Sequence, residues 1–266
     1  MKPLPHAKAP WLWLPNGSEP FSAKPFSAGS FGACTRKGGA MASQLVVRAC
    51  PPFRVPGQDP AEAVAGLERR AGELLDRPEL ERARGMVPRA RADFLAARLA
   101  QRLLASELLG VRAQDLSARY SCPQCGAGPG VSHGRPGYTL DGVPVPLLLS
   151  LSRAAGWTLL AAVTAPAAGQ RLGVDAEDPQ RLEFEGFDTV ALTPAERRAV
   201  APLHGTALLR GRARLWARKE AFLKMTGEGL RRAPEALDVL DRPGIRDLAS
   251  AESGLPDDLV AAVALG

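Results

Sequence analysis

The stretch RLGVDAED, residues 171–178, decides how the chain is read. Apolar and small residues lead into alternating acids, and the run halts at Asp178-Pro179, the pattern of a short strand that leaves a core and ends at its rim. Alternate side chains on a strand share a face, so Asp175 and Glu177 point the same way, with α-carbons about 7 Å apart. One hard divalent cation fits between two such carboxylates. Further on, RLWARKEAFLKMTGEGL at 214–230 places Leu215, Phe222 and Leu223 at helical spacing and sets Trp216, Glu220 and Lys224 four apart, in one stripe along a helix. The segment Thr226-Gly227-Glu228-Gly229 ends that helix with a glycine just past the pattern.

Each piece has an ordinary reading. Asp-x-Glu at a strand end is commonly a solvated turn, and a Glu–Lys pair on a helix is commonly a surface ion pair contributing under about 1 kcal/mol. Together they are more specific. A carboxylate beside a lysine, facing two further carboxylates, offers oxygen ligands for Mg2+ and an ammonium for phosphate oxygens.

Gly-Val-Asp-x-Glu, then Trp-x-x-Lys-Glu-Ala-x-x-Lys and Gly-x-Gly-Leu, resembles the 4′-phosphopantetheinyl transferases of the surfactin-synthetase-activating type. The resemblance covers residues from about 85 to 266. Residues 91–98 resemble the family's first arginine-rich helix, His133 to Pro136 its Gly-Lys-Pro turn, Ser150 to Trp157 its Ser-His-Ser segment, and 258–265 its closing strand. It implies an α+β fold made of a pseudo-twofold pair of similar halves in a monomer, with coenzyme A in the cleft between them. It also implies transfer of the phosphopantetheine arm of coenzyme A to a serine of an acyl or peptidyl carrier protein, releasing adenosine 3′,5′-bisphosphate.

The resemblance implies roles residue by residue. Asp175, Glu177 and Glu220 are expected to hold Mg2+, or Mn2+, whose oxygen-ligand preferences overlap with it. Lys224 is expected on a pyrophosphate oxygen, and Glu220 is also the candidate acceptor of the serine proton; its ligand and base roles need a carboxylate in the same place. Arg135 is expected on the nucleotide phosphates, where the family often has lysine. Arg153 stands where many members have a histidine that touches the 3′-phosphate of coenzyme A; arginine keeps the charge at every pH. Ser152 is a candidate donor to that same phosphate, although a serine near a strand end often caps its own backbone. Arg91 and Arg98 read as a solvated stripe, Trp216 as packing and Lys219 as a surface charge.

Composition agrees with this assignment. The 266 residues, 45 % hydrophobic, can bury one large core or two small ones. A net charge of +6, with pI ≈ 9.5, favours acidic partners: coenzyme A, acidic carrier proteins, or nucleic acid. Four cysteines, irregularly placed, make no disulfide framework and fit a reducing cytoplasm. No stretch approaches the roughly 20 apolar residues of a membrane span, and Trp11 to Leu14 is too short for a secretory core.

Residues 1–40, rich in Pro, Gly, Ser, Ala and Lys, read as a disordered extension, and Met41 as a candidate start. An N-terminal half at 41–170 and a C-terminal half at 171–266 follow. The first is expected to hold a strand opening at Leu45, helices at 62–75 and 91–109 (the second with Phe94, Leu95, Leu99, Leu103 and Leu104 inward and arginines outward), and buried strands at 147–151 and 158–164 about the turn Ala154-Ala155-Gly156. The second is expected to open a helix at Pro194. Cys122-Pro-Gln-Cys125, with His133 beyond it, is half of a zinc site; Cys34 and Cys50 lie far upstream. Two rival functions remain: a basic nucleic-acid-binding module on a Cys-x-x-Cys zinc site, and a Mg-dependent phosphohydrolase using the same acids with water as nucleophile.

Overall fold

The computed structural model describes residues 43–53, 59–122, 124–128, 131 and 133–266. The expectations for residues 1–40 and for Met41 lie outside the described residues. Strand β1 (Gln44–Cys50) takes up the run that begins at Leu45. Helices α1 (Pro60–Leu74), α2 (Arg77–Arg84) and α3 (Pro88–Leu109) follow, each with proline in its first turn, where a missing N–H breaks no helical hydrogen bond. The Asp59 carboxylate caps α1 by accepting from the Ala61 amide at 2.9 Å. α2 departs from the sequence reading, because its eight residues are too few and too charged to show a period; a capping box of Asp76 and Glu79 starts it instead.

Five short strands come next: β2 (Leu116–Ala118), β3 (Tyr120–Cys122), β4 (Gly126–Gly128), β5 (Tyr138–Leu140) and β6 (Val143–Pro144). β7 (Leu147–Ala154) and β8 (Trp157–Thr164) then form a hairpin. Its loop is only Ala155-Gly156, at φ of 48° and 83°, a two-residue turn whose hand matches strand twist. β7 therefore runs three residues beyond the expected Leu151 and carries Ser152 and Arg153 within it. The rest comprises β9 (Leu172–Glu177), α4 (Phe187–Ala191), α5 (Pro194–Val200), α6 (Gly205–Thr226), β10 (Ile245–Leu248), α7 (Ser250–Ser253) and β11 (Val260–Leu265). This mixture of helices and antiparallel sheets is the α+β class expected from the sequence.

Two three-stranded antiparallel sheets, β1-β8-β7 and β10-β11-β9, form the middle of the molecule. Leu159, Ala161 and Val163 of β8 share one core with Leu172, Val174 and Ala176 of β9 and with Ala261 and Val263 of β11. The opposite face of β8, Leu160 and Ala162, packs with Leu104 and Ala105 of α3. Cover on both faces explains why β8 is an unbroken apolar run rather than an alternating one. On the far side, α6 covers β9 and β11. The order is thus helix, sheet, sheet, helix, with the acid-tipped strand β9 in the inner layer under α6.

Two charged residues depart from the sequence reading of their helices. Arg102 of α3 is buried rather than outward, held by Asp76, by Glu79 and by the Leu116 carbonyl at 2.8 Å, while Leu103 is only partly buried. Lys219 of α6 is not a surface charge: it is 0 % exposed. It pairs with the equally buried Glu196 at 2.6 Å and donates to the carbonyls of Pro234 at 2.7 Å and Leu237 at 2.5 Å. Periodicity marks which face a residue occupies; it cannot announce a carboxylate arriving from another element to meet that face.

Candidate active site

The site begins with a close approach between α6 and β9. A side chain at Gly173 would put its Cβ 1.9 Å from the Ala221 carbonyl oxygen, so only glycine lets the helix lie this near the strand. Ala217 and Ala221 of α6 meet Ala262 and Ala264 of β11 in the same small-residue contact. Held so close, the helix brings Glu220 and Lys224 to the end of β9. Lys224 Nζ donates to Asp175 Oδ1 at 2.6 Å, to the Val174 carbonyl at 3.2 Å and to the Leu151 carbonyl at 3.4 Å. Ser152 Oγ donates to the same Asp175 oxygen at 2.7 Å.

Asp175 is 3 % exposed, and its other oxygen, Oδ2, is buried with no hydrogen-bond partner. An orphaned carboxylate oxygen is costly in a protein interior, and a cation is its natural complement. The neighbouring acids register the same excess of negative charge. Burial, together with the Asp175 and Glu220 carboxylates, pushes Glu177 up to about 8 against the pull of Lys224. Burial and Asp175 likewise raise Glu220, again opposed by Lys224. Three carboxylates on one small volume with a single ammonium among them are short of positive charge. Among the described residues, the triple whose ligand atoms all lie within 4.8 Å of one another is Cys122, Cys125 and His133; Asp175, Glu177 and Glu220 are not drawn that close as a set. The donor set, all carboxylate oxygen, suits Mg2+ or Mn2+.

Beside the acids opens a cleft of about 360 Å3. Glu220, Leu223 and Lys224 form one wall, Ser150 and Leu151 of β7 another, and the turn from His133 to Pro136 a third. Arg135 stands on that turn, where its Nη2 donates to the Met225 carbonyl at 2.6 Å and so binds the N-terminal part of the chain to the last turn of α6. Ser152 and Arg153 occupy opposite faces of β7. Ser152 turns toward β9 and Asp175, whereas Arg153 is exposed on the other face, where its charge acts on Arg82. The two were expected on one phosphate; the hydroxyl is engaged at the acid site instead, because side chains alternate along a strand.

The cleft also holds two cations that sequence reasoning missed. Arg82 and Arg98 line it from α2 and α3. The Arg98 guanidinium lies 5.1 Å from the Phe94 ring centre and 4.8 Å from that of Tyr120, and Arg82 stacks on Phe94 at 5.6 Å. Arg98 is therefore no part of a solvated stripe. Burial and the charges of Arg98 and Arg153 hold Arg82 below the ordinary arginine range. An anion there would relieve that repulsion. The signal in the sequence was the arginine spacing; what it lacked was Tyr120, which reaches Arg98 from β3 and turns it toward the cleft. Arg91 sits farther along, near Glu68 and donating to the Met86 carbonyl at 3.3 Å.

At the outer edge of the turn, Cys122 and Cys125 flank the β3–β4 connection. The amides of Cys125 and Gln124 point at the Cys122 sulfur and hold its thiol down to about 7, while the hydrogen bond to Cys122 raises Cys125.

Residues 171–261 match the family model of the 4′-phosphopantetheinyl transferase superfamily, the stretch that contains Asp175, Glu177, Glu220 and Lys224. The match spans about a third of the chain and marks that stretch as similar to this transferase superfamily. No curated protein matches the chain. Among the described residues no helix is long and apolar enough to cross a membrane.

Proposed function

We propose that this protein transfers the 4′-phosphopantetheine group of coenzyme A to a serine of an acyl or peptidyl carrier protein, as a cytoplasmic monomer dependent on Mg2+. The observation that carries this reading is the buried, partnerless Oδ2 of Asp175 beside Glu177 and Glu220, inside the stretch that matches the superfamily. Asp175, Glu177 and Glu220 would hold the ion, which would neutralise the pyrophosphate and the departing phosphate.

The remaining roles fall to the chain's own groups. The serine oxygen attacks the β-phosphorus of coenzyme A, the bond to the nucleotide phosphate breaks, and adenosine 3′,5′-bisphosphate leaves with the electron pair. Glu220, raised by burial and by Asp175, is suited to accept the serine proton. Lys224 is placed to exchange one of its carbonyl contacts for a pyrophosphate oxygen. Arg82, Arg98 and Arg135 line the cleft with positive charge for the nucleotide phosphates, and Arg153 adds its charge from beside Arg82. Ser152 is read as holding Asp175 rather than as a phosphate ligand.

We read the two halves as related by a pseudo-twofold axis with the cleft between them. Supporting this, 41–170 and 171–266 share an order once β2–β6 and the other helices are set aside: an edge strand (β1, β9), a 22-residue helix (α3, α6), then two strands of which the last (β8, β11) is central in its sheet.

The decisive experiment is one incubation of the protein with apo carrier protein, coenzyme A and Mg2+, read by intact mass. The expected result is a phosphopantetheine adduct on the carrier. No adduct across a panel of acyl and peptidyl carriers would reject the proposal, and hydrolysis of coenzyme A in the absence of any carrier would favour a phosphohydrolase. Nucleic-acid affinity that falls with salt and survives Asp175→Ala would favour the basic binding module.

A further inference from the structure

We infer that Cys122, Cys125 and His133 bind one zinc ion that clamps the cleft-lining turn to the β3–β4 hairpin. Cys122 ends β3, Cys125 immediately precedes β4, and His133 arrives on the turn that leads to Arg135. One ligand atom from each, two sulfurs and an imidazole nitrogen, lie within 4.8 Å of one another. Tetrahedral zinc, about 2.3 Å from sulfur and about 2.0 Å from nitrogen, needs its ligand atoms about 3.5–3.8 Å apart, close to the spacing these three already have.

The backbone has already fixed where these ligands meet. Ser121 and Arg135 exchange a pair of hydrogen bonds at 2.9 and 3.0 Å, one residue before Cys122 and two after His133. Gly134 makes that pairing possible: its φ is 89°, and a Cβ there would lie 2.3 Å from the Ser121 carbonyl oxygen. A site whose ligands are held by flanking backbone bonds pays little ordering entropy on binding metal.

The donor chemistry selects the ion. Thiolate and imidazole favour zinc, whereas the all-oxygen cluster at Asp175 favours Mg2+, so the two sites would not compete for the same metal. Three ligands among the described residues leave one tetrahedral position, and the exposure of Cys125 and His133 leaves it open to water. Cys50 is not a fourth ligand, being packed among the apolar side chains around Leu104 and Leu160. The consequence is mechanical: the clamp holds a turn whose Arg135 is bonded to the end of α6, so the metal would stiffen one wall of the cleft. None of this depends on the transferase reading.

The full chain, purified without chelator or added metal, is expected to carry about one zinc by elemental analysis, against less than about a tenth in Cys122→Ser and Cys125→Ser. Chelation of the wild-type protein should remove the zinc and lower Tm, and re-addition of zinc should restore both. Replacement with Co2+ should give thiolate-to-cobalt charge-transfer absorption that Cys122→Ser weakens. Asp175→Ala should keep its zinc even if all transfer activity is lost, which separates this site from the acid cluster. The inference is overturned if reduced wild-type protein takes up neither zinc nor cobalt, if Cys122→Ser retains full zinc, or if the two cysteines prove to be a disulfide pair that binds no metal once reduced.

Discussion

Asp175 shows how much can rest on one side chain. One of its oxygens accepts from both Ser152 and Lys224, and the other is buried with no hydrogen-bond partner. Asp175→Ala, Glu220→Gln and Lys224→Ala are each expected to lower transfer at least about a hundredfold, measured as kcat/KM for holo-carrier formation; near-normal turnover in any of them would show its role to be misassigned. Glu177 makes the same site sensitive to pH. With its carboxyl raised to about 8, the folded, metal-free protein holds a proton there that the unfolded chain releases near its ordinary value. That contribution to stability is complete at low pH and is lost as pH climbs toward about 8. Mg2+ must displace the proton, so its affinity should rise with pH, level off above about 8, and be accompanied by proton release at pH 7 in calorimetry run in two buffers. Affinity independent of pH across that range would remove Glu177 from the ligand set.

At the scale of elements, α6 is positioned by two features that its own periodicity does not display. One is the bare backbone at Gly173; Gly173→Ala should lift the helix, with a stability cost of about 1–3 kcal/mol and weaker Mg2+ binding, seen as a lower Tm and a poorer titration. The other is the buried Lys219–Glu196 pair, which ties α6 to α5 while Lys219 also satisfies two carbonyls of the segment at 234–237. Burial lowers the Lys219 ammonium below the ordinary lysine range, against the opposing pull of Glu196. Lys219→Ala leaves a carboxylate buried without its counter-charge and should cost about 3–5 kcal/mol, with Tm falling on the order of 10 °C. Two lysines of one motif therefore do different work: Lys224 serves the acid cluster, and Lys219 holds the helix that carries it.

Across the whole molecule, the cleft draws on both parts of the chain. The acids come from 171–266, whereas Arg82, Arg98 and the Arg135 turn come from 41–170, and the Arg135–Met225 bond joins them. A chain lacking residues 1–40 is expected to turn over within about twofold of the full one, since the resemblance begins well beyond them; a large fall in kcat would make that extension part of the enzyme.

The strand 171–177 and the helix ending at Gly227 were legible from the sequence because each carries a local signal: apolar residues giving way to alternating acids, and a four-residue stripe closed by glycine. The faces that carry the acids at 175, 177 and 220 were legible one element at a time, because spacing puts each on a known face of its own element. Local period says nothing about what lies opposite, and that is where tertiary structure decided. Only packing turned Arg98 from solvent onto Tyr120, drew Arg102 and Lys219 inside to meet carboxylates from other elements, and sent Ser152 to Asp175 while Arg153 faced away. A buried charge is stable only beside its partner, and the partner's arrival is a property of the folded chain, not of any one segment.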